Sequence, residues 1–188
     1  MKKKSKKKSK KKVKKKKLIT LPKLRAKLLR LWSVAAREKD DFTCIVCGVK
    51  RGDINPLKPT SKIKIDAHHL LQKYIKNCPL KFDIRNEASL CPKHHKFNGE
   101  MSAHKSPIVF YDWFRLNFPD KYQFILKNSG IRVDLDNRKV LEEILERLTA
   151  KEPLDLDKLK EIEKEFPRKS KVTTTTTTTE PDFLPFFQ

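Results

Sequence analysis

Four short stretches decide how this chain is read: Cys44-Ile-Val-Cys47, Asp66-Ala-His68-His69, the single Asn86, and Cys91-Pro-Lys-His94-His95. The first and last form two knuckles, C-x-x-C and C-x-x-H, with 43 residues between them. Together they supply the four sulfur and nitrogen donors that tetrahedral zinc takes. Three residues of helix turn through about 300°, so Cys91 and His94 would share a face and point at one ion. His95 offers a second nitrogen, so the fourth ligand is His94 or His95. Cys78 falls outside the spacing and reads as an ordinary small side chain. Four cysteines in 188 residues are too few for a disulfide scaffold, which favours reduced thiols around a metal.

Working outward, residues 21–37 place Leu24, Leu28, Leu31, Trp32 and Ala35 at three- and four-residue spacing. That predicts an amphipathic helix with Pro22 in its first turn. Residues 62–69 alternate polar and apolar and predict a strand. A second strand is expected over 80–84 and a helix over 89–97 opening around Pro92, in the order strand, loop, strand, helix. Helices are further expected over 108–118, 122–127, 140–148 and 156–166. Seven threonines at 173–179 form a low-complexity linker. The chain divides into an arm (1–17), a leading helix (18–41), a site domain with a helical extension (42–128), a helical region (129–171), and a linker with an acidic-aromatic tail (172–188). The fold class is α+β.

Charge is unevenly spread. Lys and Arg number 45 against 23 Asp and Glu, a net +22, and 13 of the first 17 residues are Lys. So dense a run of like charge has nothing apolar to bury, and is expected to stay unfolded until it meets a polyanion. Residues 44–128 carry 15 basic and 7 acidic side chains, whereas 129–188 carry 11 and 13. A nucleic acid would therefore lie across the middle of the chain. Gly48, Gly52, Gly99 and Gly130 are too scattered for a dinucleotide-binding turn or a phosphate-binding loop. No apolar run approaches the roughly 18 residues of a membrane helix. An intracellular protein without membrane contact is expected.

Taken in order, C-x-x-C, H-H, N and C-x-x-H-H resemble the HNH endonuclease motif of the zinc-knuckle type over roughly residues 42–105. The leading helix, the aromatic segment after the last knuckle and His104-Lys105 look most like phage-type members, the NinG or Rap recombination nucleases among them. The resemblance implies a small ββα-metal unit stapled by structural zinc and flanked by helices. It implies metal-dependent cutting or nicking of DNA to 5′-phosphate and 3′-hydroxyl ends, in phage or viral recombination, replication or homing. His69 would be the general base. His68 and His95 would ligate a catalytic divalent ion, Mg²⁺, Mn²⁺, Ni²⁺ or Zn²⁺. Asn86 would tie the connecting loop and orient the base. Phosphodiester hydrolysis independently needs such groups: a base for water, a cation for the developing charge, and something to hold the base. A neutral imidazole suits the first task near pH 7.

Three features depart from the family pattern. His68 stands where many members carry Asp, with Asp66 two residues earlier, and a nitrogen ligand favours Zn²⁺, Ni²⁺ or Mn²⁺ over Mg²⁺. The second knuckle ends in His where Cys is more usual. Neighbours on a regular strand face opposite ways, so His68 and His69 reach one phosphate only if the strand twists or bulges there.

Arg85, Lys93, Lys96 and Lys105 flank the motif and could position phosphates, and His104 could assist near the scissile bond. In the tail, Phe183, Phe186 and Phe187 are spaced as in sliding-clamp-binding peptides, with Glu180 where the eukaryotic version has Gln. A clamp or another replisome protein is the partner this implies. A phage-encoded protein would act in the host cytoplasm or nucleoid, and the poly-Lys arm is compatible with a nucleus. The alternative function is a non-catalytic, zinc-stabilised nucleic-acid-binding module or a clamp-docked adaptor. The intact set of His69, Asn86 and His95 favours the enzyme, because a binder needs no base beside a second metal site.

Overall fold

A proline in the first turn and an apolar residue at nearly every fourth position produce α1 (Leu21–Lys39), the helix expected over 21–37. Its buried stripe is Leu24, Leu28, Trp32, Ala35 and Ala36. The chain leaves it through Asp41 and Phe42, both left-handed at φ 50° and 51°. The computed structural model describes residues 18–55 and 58–168. The poly-Lys arm, the threonine linker and the tail with Phe183, Phe186 and Phe187 lie outside them.

Two small antiparallel pairs follow, β1 (Ile54–Asn55) with β2 (Lys58–Lys62), and β3 (Asp66–His68) with β4 (Ala88–Leu90). Three expectations are corrected here. The strand expected over 62–69 is split, since β2 ends at Lys62 and β3 begins at Asp66. Residues 80–84 are not a strand, because Pro79–Phe82 form one tight helical turn, and Pro79 has no N–H to give to a ladder. Of the helix expected over 89–97, Ser89 and Leu90 lie in β4, ahead of the opening at Pro92. The helical part shrinks to the wide turn Lys93–Phe97, closed by the Asn98 N–H on the Lys93 carbonyl at 2.8 Å. All three β4 residues are buried, which leaves no polar–apolar alternation to reveal a strand.

The remaining helices fall where expected: α2 (Pro107–Asn117), α3 (Pro119–Asn128), α4 (Arg138–Ala150) and α5 (Leu156–Glu165). The Asn137 side chain accepts from the Lys139 N–H to cap α4, and Asp155 accepts from Lys158 to cap α5. Fully buried Glu87 pairs with Lys121 at 2.5 Å, tying the start of β4 to α3. Burial pushes its carboxyl up to about 7, against the pull of Lys121.

The apolar side chains gather into two cores. The first joins α1, the Cys78–Ile84 segment, α4 and α5, through Leu28, Trp32, Leu80, Phe82, Ile144 and Leu159 among others. The second joins the knuckles, β4, α2 and α3, through Cys44, Leu90, Cys91, Phe110, Phe114 and Ile125. The segment His68-His69 runs between them, and everything at the site follows from that position. Among the described residues no helix is long and apolar enough to cross a membrane. Leu28 is wholly buried in the first core, so Leu28→Ala is expected to destabilise the protein by about 2–5 kcal/mol, checked by urea denaturation.

Candidate functional site

The knuckles converge. Cys44 Sγ lies 3.6 Å and Cys91 Sγ 3.4 Å from His94 Nδ1, and Cys47 Sγ lies 3.9 Å from Cys91 Sγ. Zinc at about 2.3 Å from sulfur and about 2.0 Å from nitrogen needs ligand-to-ligand edges of about 3.5–3.8 Å in a tetrahedron. These four side chains could therefore hold a structural zinc, with all donor atoms within 4.8 Å of one another. The choice between His94 and His95 resolves in favour of His94. A hydrogen bond from Cys91 lowers the Cys44 thiol, and the same bond with burial raises Cys91.

His95, one residue on, turns to a second cluster. Its Nδ1 lies 3.0 Å from Asp66 Oδ2 and its Nε2 3.2 Å from His104 Nε2. The His68 ring stands edge-on to both, at 5.3 Å from His95 and 5.0 Å from His104 between centroids. Ligand nitrogens of His68, His95 and His104 all lie within 4.8 Å of one another. Donating Nδ1–H to Asp66 leaves the His95 Nε2 lone pair facing His104. Two such nitrogens at 3.2 Å need either a shared proton or a common cation. Burial first, then His95 and His104, push His68 down to about 3, and burial and His95 lower His104 as well. Neutral imidazoles are what a cation requires. Buried His68 Nε2 has no hydrogen-bond partner, an orphaned acceptor that a metal would satisfy. The all-nitrogen donor set fits a divalent ion of the zinc or nickel kind best. Asp66→Ala is expected to weaken binding of Mn²⁺ or Ni²⁺ here by about 10–100-fold, since a carboxylate behind a ligating imidazole fixes its tautomer. Calorimetric titration into zinc-loaded protein checks this, and an unchanged affinity would remove Asp66 from that role.

His69 faces the other core. Its ring stacks on Trp32 with centroids 3.6 Å apart and planes at 16°, and its Nε2 lies 3.0 Å from the Lys81 carbonyl. The two neighbours thus point opposite ways, β3 pairs with β4 in regular register without the twist or bulge that would bring both rings to one phosphate, and His69 is not among the three clustered imidazoles. With Nε2–H donated to Lys81, Nδ1 keeps the lone pair. Burial pushes His69 down to about 4, with the Lys81 carbonyl pulling the other way, so the ring is neutral at pH 7. Asn86, fully buried, binds the loop that carries Lys81. Its amide donates to the Leu71 and Leu80 carbonyls at 3.1 and 3.0 Å, and its Oδ1 accepts from the Leu71 N–H at 2.6 Å. Trp32 is itself held by its Nε1–H on the Asp83 carbonyl at 2.9 Å.

Of the four flanking cations, Lys93, Lys96 and Lys105 are exposed around the imidazole cluster. Arg85 is a correction. Its Nε and Nη2 bind both oxygens of buried Asp83 at 3.0 and 2.7 Å, Nη2 also donates to the Leu154 carbonyl at 2.7 Å, and the guanidinium lies 3.9 Å over the Phe124 ring. Those donors are spent inside the protein, which leaves Arg85 without the free guanidinium that the expected phosphate contact needs. Sequence reasoning gave His104 no place as a third corner and gave Trp32 only a place in the core. His104 follows nine residues after His95 with no repeat to mark it, and the stack on His69 needs the fold. Compared with protein-family models, curated proteins and solved structures, the chain matches none.

Proposed function

We propose that this protein is a metal-dependent DNA endonuclease of the HNH type, with β3, β4 and the Lys93–Phe97 turn as its ββα-metal unit. The observation that carries this reading is the nitrogen cluster of His68, His95 and His104 set beside the Cys44, Cys47, Cys91 and His94 cluster. His69, next to His68 in the chain, is fixed through Nε2 with Nδ1 left as a base. A divalent ion held by His68, His95 and His104 would neutralise charge developing on the phosphate and on the leaving oxygen. For His69 to serve the same phosphate, the segment after His68 turns on DNA binding so that Nδ1 takes a proton from water, whose oxygen bonds to phosphorus. The P–O3′ bond then breaks and the 3′ oxygen acquires a proton, leaving 5′-phosphate and 3′-hydroxyl ends. The Lys81 carbonyl fixes the tautomer, Trp32 fixes the ring plane, and Asn86 fixes the loop that bears Lys81. Lys93, Lys96 and Lys105 supply phosphate contacts that position DNA without reading sequence. The phage-type reading, with its setting in recombination, replication or homing, rests on the motif order.

One observation favours a second reading. His69 is packed against Trp32 in the first core, as a purely structural histidine would be, and a zinc-stabilised DNA binder could be built this way. Supercoiled plasmid incubated with purified full-length protein, with and without Mg²⁺, Mn²⁺ or Ni²⁺, separates the two. Metal-dependent conversion to nicked circles is expected. Folded, zinc-loaded protein that binds the plasmid and cuts it with none of these ions would be the binder.

A further inference from the structure

We propose that the DNA taken at the imidazole cluster is unpaired, with one base stacking on Phe97 and another on Tyr74. The inference rests on the proposed function for the kind of polymer and deepens it by naming the form. Tyr74 is 82% and Phe97 70% exposed. A single large apolar side chain in water is ordinary. Two aromatic rings, each beside a lysine that faces the same histidine of the cluster, call for a ligand with flat apolar faces and negative charge.

The fold brings both rings to the cluster. Phe97 ends the Lys93–Phe97 turn, two residues after His95. That turn is fixed by the Asn98 N–H on the Lys93 carbonyl at 2.8 Å and by the His104 N–H on the His95 carbonyl at 3.2 Å. Tyr74 stands on the loop that follows His69, with Lys73 Nζ 5.3 Å from its ring centroid. Lys73 and Lys96 both come near enough to His104 for their charges, after burial and His95, to lower its proton affinity. One cation therefore links each ring to the same imidazole. The far end of the Tyr74 loop is anchored, since Ile75 packs on the first core and the Val133 N–H donates to the Asn77 carbonyl at 2.9 Å. The Tyr74 ring stands in solvent while Ile75, the next residue, is packed.

The rings decide the form of the DNA. Lys73, Lys93, Lys96 and Lys105 are exposed and meet no acidic side chain among the described residues, but lysines alone would serve a duplex as well as a single strand. A duplex keeps its base faces inside the stack. An unpaired strand offers one π-face per nucleotide, and cations for its phosphates interleaved with aromatic platforms for its bases are the two parts of a single-strand site.

The test compares binding of a single-stranded oligonucleotide and of its blunt duplex by the full chain, without added divalent ion, read by fluorescence anisotropy. All variants are matched for zinc content and melting temperature, and all keep the poly-Lys arm. Tyr74→Ala and Phe97→Ala are each expected to weaken single-strand binding by about 5–150-fold, the range for one stacked base, and to leave duplex binding nearly unchanged. Tyr74→Phe and Phe97→Tyr keep a π-face and keep the affinity. Ile108→Ala removes a side chain that is 78% exposed but cannot stack, and binds as wild type. A fluorescent base analogue in the strand reports the stack itself: its emission falls on wild type and stays high on the double alanine variant. Wild-type single-strand affinity in either single alanine variant, equal losses on single strand and duplex, or a loss in Ile108→Ala as large as in Phe97→Ala overturns the proposal. Absence of plasmid cleavage by a protein that meets these expectations would strike only the nuclease reading. Metal-dependent nicking by a protein whose alanine variants bind as wild type would strike only the stacking.

Discussion

Cys91→Ala is expected to cost the protein one equivalent of tightly bound zinc and to unfold the part of the chain built on the second core. β3 and β4 pair over three residues each, and a two-stranded pair of that length does not stand alone in water. What presses the first knuckle onto it is the Ile45 N–H on the Ser89 carbonyl at 3.0 Å, together with four donor atoms packed at 3.4–3.9 Å. Around a cation those contacts become the edges of a ligand tetrahedron, and without one they are only weak thiol hydrogen bonds. Structural zinc contributes about 10–16 kcal/mol to folding in small zinc peptides, comparable with the ~5–15 kcal/mol net stability of a whole domain. Zinc per chain is read by mass spectrometry, and the second core by the near-ultraviolet dichroism of Phe110, Tyr111, Trp113 and Phe114, which pack ring against ring. Loss of that signal is expected while far-ultraviolet helicity from α1, α4 and α5 persists. A zinc-free variant that keeps the aromatic signal would show that the knuckles do not hold this half together.

How much of this could be read in advance depends on where each signal is stored. The helices were legible because their burial is one-sided: Leu24, Leu28 and Trp32 repeat every four residues and are buried together. The Cys44, Cys47, Cys91 and His94 cluster that could hold zinc was legible because each knuckle is local and the two together supply four donors. The short strands were not. β4 is buried on both faces and offers no alternation, while Leu80 and Phe82 are apolar enough for a strand but sit in a helical turn begun by Pro79. Charge alone misplaced Arg85, whose partners Asp83 and Leu154 are two and 69 residues away. The opposed directions of His68 and His69 were legible from the period of a strand. What each would meet was not, because Trp32 and His104 come from elements far apart in the chain.

His69→Ala is expected to lower the plasmid-nicking rate by about 10²–10⁴-fold, the range for removing a positioned general base, while leaving zinc content and DNA affinity near wild type. The three clustered imidazoles are untouched by the change, since His69 is not among them. The substitution also removes a ring stacked at 3.6 Å on Trp32, so stability falls too, and a lower rate alone would not separate base from prop. His69→Phe supplies the control, because it keeps an aromatic ring against Trp32 and removes both nitrogens. If His69 is the base, the two variants are equally inactive although the Phe variant melts closer to wild type. If it serves only as packing, the Phe variant recovers activity with stability. Asn86→Ala lies between these cases. It releases the Leu71 and Leu80 carbonyls, which frees the loop carrying Lys81 and with it the tautomer of His69, so its rate should fall through the chemical step with KM nearly unchanged. Recovery of nicking in His69→Phe would leave the imidazole cluster as a metal site without its base, and the binder as the better account of the chain.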